Sequence, residues 1–121
     1  MEFALTLPLV VLLSFGLLQM VLFLACYVGA TYGSRAAVRY ASVHSAQSHT
    51  PCSSSDLTAI VKTYAFTIPS TGIQTASTWS PSNTVGSIVT VKVTLSFPTA
   101  IPVSRLQNLS VVTTAAGSVL Q

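Results

Sequence analysis

FALTLPLVVLLSFGLLQMVLFLACYVGATYGS, residues 3–34, contains no charged side chain. Its apolar side chains fall on every helical face rather than on one stripe. A helix that is apolar all round must be buried on all sides, in a membrane or in the core of an assembly. At about 1.5 Å per residue it spans roughly 48 Å, against the ~30 Å of a bilayer core. The stretch therefore predicts one long helix with more apolar length than a membrane crossing uses. The pattern runs on through RAAVRYASVHSA to about Ala46, and Pro51 stops it because proline cannot continue a helix.

Outward from this helix the chain divides in two. Residues 1–46 form an assembly or transmembrane helix, and residues 47–121 form a small globular α+β head. The whole chain has 121 residues, so the head is near the lower size limit for a self-sufficient core. Only seven residues are charged, Glu2, Arg35, Arg39, Asp56, Lys62, Lys92 and Arg105. The five basic residues are scattered, whereas nucleic-acid binding needs them clustered on one face, so no nucleic-acid partner is expected. Nine of the eighteen residues 67–84 are Ser or Thr, and hydroxyls must therefore supply much of the wet surface.

Within the helix three zones differ. Glu2 abuts the apolar run, where an unpaired carboxylate is expensive; it belongs in the headgroup region, at the helix dipole, or beside a cationic partner when subunits pack. Pro8 removes one intrahelical hydrogen bond, so a bend or local distortion is expected around residues 4–8. Residues 9–24 are long apolar side chains. Beyond them Ala25, Gly29, Gly33, Ala37 and Ala41 recur every four residues, a ridge that lets another backbone approach closely. Arg35 and Arg39, one helical turn apart, mark the exit from the apolar zone. Cys26 reads as a small apolar helix residue too far from Cys52 to bridge to it; Cys52 stays open between a thiol and a bridge to another chain.

The head begins with a loop, residues 49–55. Ser54 or Ser55 can cap a short helix from Asp56 to about Phe66, with Leu57, Ile60, Val61, Tyr64 and Ala65 on its buried face. Ile73 to Trp79 is a first strand. Val85 to Phe97 is the best one, its valines alternating with Thr and Lys. Pro98 and Pro102 open a connection, and Leu109 to Val119 is a last strand. The fold expected is α+β: a long hydrophobic N-terminal helix whose C-terminal half packs against a short helix and a small antiparallel sheet. Asn108-Leu109-Ser110 fits the N-glycan sequon, a pattern common by chance. His44, His49 and Cys52 are three potential metal ligands with no fourth. No catalytic spacing, phosphate-binding glycine loop or carboxylate pair is legible, so no enzyme, cofactor or metal is expected.

Glu2-Phe3-Ala4-Leu5, then Leu7-Pro8-Leu9 and Phe15-Gly16, resembles the signature of the TadE-like pilins and pseudopilins. The likeness continues through the small-residue segment before Arg39-Tyr40-Ala41 and into the valine-alternating strand, the proline-containing connection and the Thr/Ala-rich last strand. The resemblance implies a type IV-related pilin with a pilin-like fold. Such a chain is cut by a prepilin peptidase, handled by an inner-membrane pilus assembly machinery, and polymerised with copies of itself into a helical extracellular filament. Membrane lipid surrounds its helix beforehand. It also implies that Glu2 pairs with a subunit's terminal amine; in the family that glutamate usually stands at the fifth mature position, and here it is the second residue. A basic leader, removed by the peptidase, would place the head outside although Arg35 and Arg39 follow the apolar run. Two alternatives stand beside a main filament subunit: a minor pseudopilin that primes or caps a filament, and a lipoprotein cleaved at Cys26, since Leu24-Ala25-Cys26 resembles a lipobox end.

Overall fold

A computed structural model describes residues 2–65, 72–97 and 109–120, without the side chains of Glu2, Phe97 and Leu109. Its elements are α1 (Glu2–Val43), α2 (Ser54–Tyr64), β1 (Ile73–Ser80), β2 (Ile88–Phe97) and β3 (Leu109–Ser118). The expected α+β architecture is present. The three strands form one antiparallel sheet in the order β1-β2-β3. Both helices lie on one face of that sheet, α1 against β2 and β3, and α2 against β1.

Alternation along the strands decides which face the helices cover. Ile73, Val89, Val91, Val93, Leu95 and Val111 point inward and are buried, while Gln74, Lys92, Val112 and Thr114 point outward. Register keeps the apolar set together, with Val91 opposite both Ser77 and Ala115, and Val93 opposite both Thr75 and Thr113. From α2, Leu57 and Val61 complete this core, and from α1, Cys26, Ala30, Ala37, Val38 and Ala41.

α1 is continuous through Pro8, so the missing hydrogen bond does not end the helix there. It stops at Val43 rather than about Ala46, because the following backbone finds other partners. Cys52 N–H donates to the His44 carbonyl at 3.0 Å, and Ala46 N–H donates to Asn83 Oδ1 at 3.1 Å. α2 starts earlier than expected, and its N-cap is Ser53, not Ser54 or Ser55. The reason is a capping box with Asp56: Asp56 N–H donates to Ser53 Oγ at 3.3 Å, and Ser53 N–H donates to Asp56 Oδ2 at 3.2 Å. β2 begins at Ile88 instead of Val85. Gly86, at φ +86°, adopts a left-handed conformation in the turn before it, and its N–H donates to the Val119 carbonyl. The connection carrying Pro98 and Pro102, and the sequon residue Asn108, lie outside the described residues.

Candidate functional site

The two halves of α1 meet different surroundings. From Phe3 to Leu24 almost every side chain is exposed, among them Phe3 at 84%, Leu12 at 75% and Met20 at 71%. These twenty-two residues extend about 33 Å, close to the thickness of a bilayer core, and α1 is long and apolar enough to cross a membrane. The exposure covers all faces, so no single neighbour of ordinary size could cover this half.

From Cys26 onward one stripe is buried. It comprises Cys26, Gly29, Ala30, Gly33, Ser34, Ala37, Val38, Ala41 and Ser42, at spacings of three and four. α2 covers the glycine row and runs antiparallel to α1. A Cβ at Gly29 would lie 2.8 Å from the Tyr64 carbonyl oxygen, and one at Gly33 would lie 3.2 Å from Val61 Cα. β3 covers the neighbouring row and runs along α1 in the same direction. Thr113 Oγ1 donates to the Ala30 carbonyl at 3.3 Å, Val38 packs on Gly117, and Leu120 N–H donates to the Ser42 carbonyl at 2.9 Å. The buried serines satisfy themselves locally: Ser34 Oγ donates to Thr31 O and Ser42 Oγ to Arg39 O. Their burial therefore leaves no orphaned hydroxyl.

The small-residue ridge is thus divided. Gly29, Gly33, Ala37 and Ala41 are covered by the chain's own head, in keeping with the expected packing of the helix's C-terminal half against the short helix and the sheet. Ala25 alone of the five is exposed. It lines an apolar groove of about 440 Å³ with Val21, Leu24, Val28, Tyr32 and Tyr64, where the end of α2 meets the exposed half of α1. Pro8 lies on the exposed half; Glu2 begins the helix, and its side chain is not described. Sequence reading missed Ala30, Ser34 and Ser42, because a buried face made of alanine and serine leaves no hydropathy signal. Their spacing with Cys26 and Val38 was the available clue.

The residues weighed for chemistry are dispersed. His44 stacks on Tyr40 with ring centroids 4.0 Å apart, and its Nδ1 lies 2.9 Å from the Tyr40 carbonyl. Among the described residues no group of three His, Cys, Asp or Glu side chains is placed to hold a metal. Partial burial, and then the Asp56 carboxylate, push the Cys52 thiol above its ordinary range, so little of it is thiolate at neutral pH. The Ser53 hydroxyl, 2.6 Å from Asp56 Oδ2, and the Ser53 N–H hold the Asp56 carboxyl below the usual range. Cys26 is 1% exposed, inside a helix continuous on both sides, and does not bridge to Cys52. No protein-family model, curated protein or solved structure matches the chain.

Proposed function

We propose that the chain is the structural subunit of an extracellular, type IV-related filament of the TadE-like kind, polymerising through α1. The observation that carries this is the division of one helix. Its second half is locked to the head, while its first half projects as an apolar rod exposed on every face. Lipid covers such a rod in the inner membrane before assembly, and the rods of other copies cover it afterwards. Burial of apolar area drives the transfer at roughly 25 cal/mol per Å² where the alternative is water, and packing against other helices drives it where the alternative is lipid. A contact repeated head to tail that does not close produces a helical polymer. Prepilin peptidase and the membrane assembly machinery are the partners this implies, and the role is a scaffold's rather than a catalyst's. The buried position of Cys26 weighs against lipid attachment there.

Fractionation tests the proposal. Cells producing the chain with its assembly machinery should release, on shearing, a high-speed pellet containing it as a polymer. Leu12→Arg, placed in the middle of the exposed rod, should abolish that pellet. A chain recovered only as a membrane-bound monomer would refute the filament.

A further inference from the structure

The groove beneath the end of α2 lies where the exposed rod meets the head. Its α1 lining, Val21, Leu24, Ala25 and Val28, recurs at spacings of three and four. This is the same face of α1 that α2 covers at Gly29 and Gly33. α2 ends at Tyr64, and beyond that end the four lining residues of α1 are exposed.

Two limits set the depth of this groove in a bilayer. A carboxylate is costly in hydrocarbon, so Glu2 bounds the rod at one end. The head bounds it at the other: the buried stripe begins at Cys26, and Thr113 Oγ1 already meets the Ala30 carbonyl. Between these limits, Phe3 to Leu24 extends about 33 Å, against ~30 Å of hydrocarbon. The rod therefore fills the hydrocarbon with little room to slide. Val21 and Leu24 stand inside its edge, and the other end of the groove stands just outside.

Three exposed tyrosines collect at that outer level, Tyr27, Tyr32 and Tyr64. Tyr27 and Tyr32 follow Leu24 by about 4.5 and 12 Å of helix, and side chains on α1 lean back towards its N-terminus. Tyr64 comes from the other helix. Its carbonyl faces Gly29, about 7.5 Å past Leu24. Each headgroup layer is roughly 5–8 Å deep. Tyrosine favours that layer, with its ring against apolar chains and its hydroxyl in water.

We propose that the head seats on the bilayer through Tyr27, Tyr32 and Tyr64, and that the groove beneath α2 holds an acyl chain of a phospholipid from the adjoining leaflet. The seat rests on the membrane-resident stage of the function proposed above, and not on the filament. The acyl chain lies against Val21, Leu24 and Ala25, with Tyr32 and Tyr64 at the level of its ester groups.

Fluorescence quenching by brominated lipid tests this, with the full chain reconstituted in phosphatidylcholine vesicles. The bromine is placed either near the carboxyl end or near the methyl end of the acyl chains. Trp79 is the chain's one tryptophan. It stands in register with Val89 and Gly117, and Gly117 packs on Val38, at the end of the head away from the rod. Trp79 should keep its fluorescence in both lipids. In a Trp79→Phe background, Tyr64→Trp and Tyr32→Trp should lose most of theirs to bromine near the carboxyl end and little to bromine near the methyl end. Leu12→Trp, in the middle of the rod, should show the reverse, and circular dichroism should show all variants folded. Ala25→Phe, which fills the groove from α1, should return most of the Tyr64→Trp fluorescence. Unchanged quenching in that variant would overturn the occupancy of the groove. Quenching of Leu12→Trp without quenching of Tyr64→Trp or Tyr32→Trp would overturn the seat and leave the membrane stage standing; a second copy in the groove gives that result. Quenching of Trp79 equal to that of Tyr64→Trp would also overturn the seat, because the head would then lie along the surface. Loss of quenching in Leu12→Trp itself would remove the membrane stage.

Discussion

At the scale of single residues, the joint between head and helix depends on what is missing. Gly29 has no side chain, and the Tyr64 carbonyl occupies the space a Cβ would need. Backbone cannot yield as a flexible side chain can. Gly29→Ala should therefore destabilise head docking by about 1–3 kcal/mol, the usual range for overpacking. Gly16→Ala should not, because a Cβ there meets nothing within 4 Å; thermal melts of the two variants in one detergent give the comparison. Asp56 provides a second residue-scale prediction. Its folded pKa is depressed by its hydrogen bonds from Ser53. The stability it contributes is thus complete above its unfolded value of about 4 and is lost as pH falls through the lower folded value. Hydrogen exchange of the α2 amides should quicken across that acidic window, and Asp56→Asn should remove most of the pH dependence. The sequence pointed to a serine cap but placed it one or two residues late. Ser53, Ser54 and Ser55 are adjacent, and only the three-residue reach to Asp56 selects among them.

At the scale of elements, period-two and period-3.6 patterns made most of the fold legible. The β2 valines announced a half-buried strand, and Leu57 and Val61 announced the inner face of α2; both stand at 0% exposure. Leu57→Ala should lower stability by about 2–5 kcal/mol, whereas Leu12→Ala, on the exposed rod, should leave the melting of the head unchanged. Circular dichroism of the two variants in micelles distinguishes these outcomes. The ridge from Ala25 to Ala41 was legible as a surface for close approach and as part of the half that packs against the head, but which head element meets which row was not. Small residues specify a short distance and no identity, so α2 and β3 fit the pattern equally. Tertiary structure resolves this, because α2 lies antiparallel to α1 over the glycine row and β3 lies along the alanine and serine row. The start of β2 was blurred for another reason: Val85 continues the apolar lettering, but Gly86 turns the chain before pairing begins.

At the scale of the whole molecule, the protein is a small head seated on one half of a helix whose other half is largely exposed. The hydrophobic composition of that rod was evident from sequence. What the structure adds is that the head covers Gly29, Gly33, Ala37 and Ala41 and leaves Ala25, beside Tyr32 and Tyr64, at the open edge. Subunit contacts in a filament would then fall on the rod and on this edge, rather than along the full ridge. Charged substitutions on the rod should abolish polymer without unfolding the head, and substitutions under the head should lower stability first. The most direct measurement is a helical reconstruction of filaments sheared from producing cells, at a resolution that identifies side chains. The expected density has residues 3–24 of successive copies bundled in the core and the three-stranded heads outside. Filaments built from head-to-head contacts with the rods left uncovered, or filaments lacking this chain, would contradict polymerisation through α1.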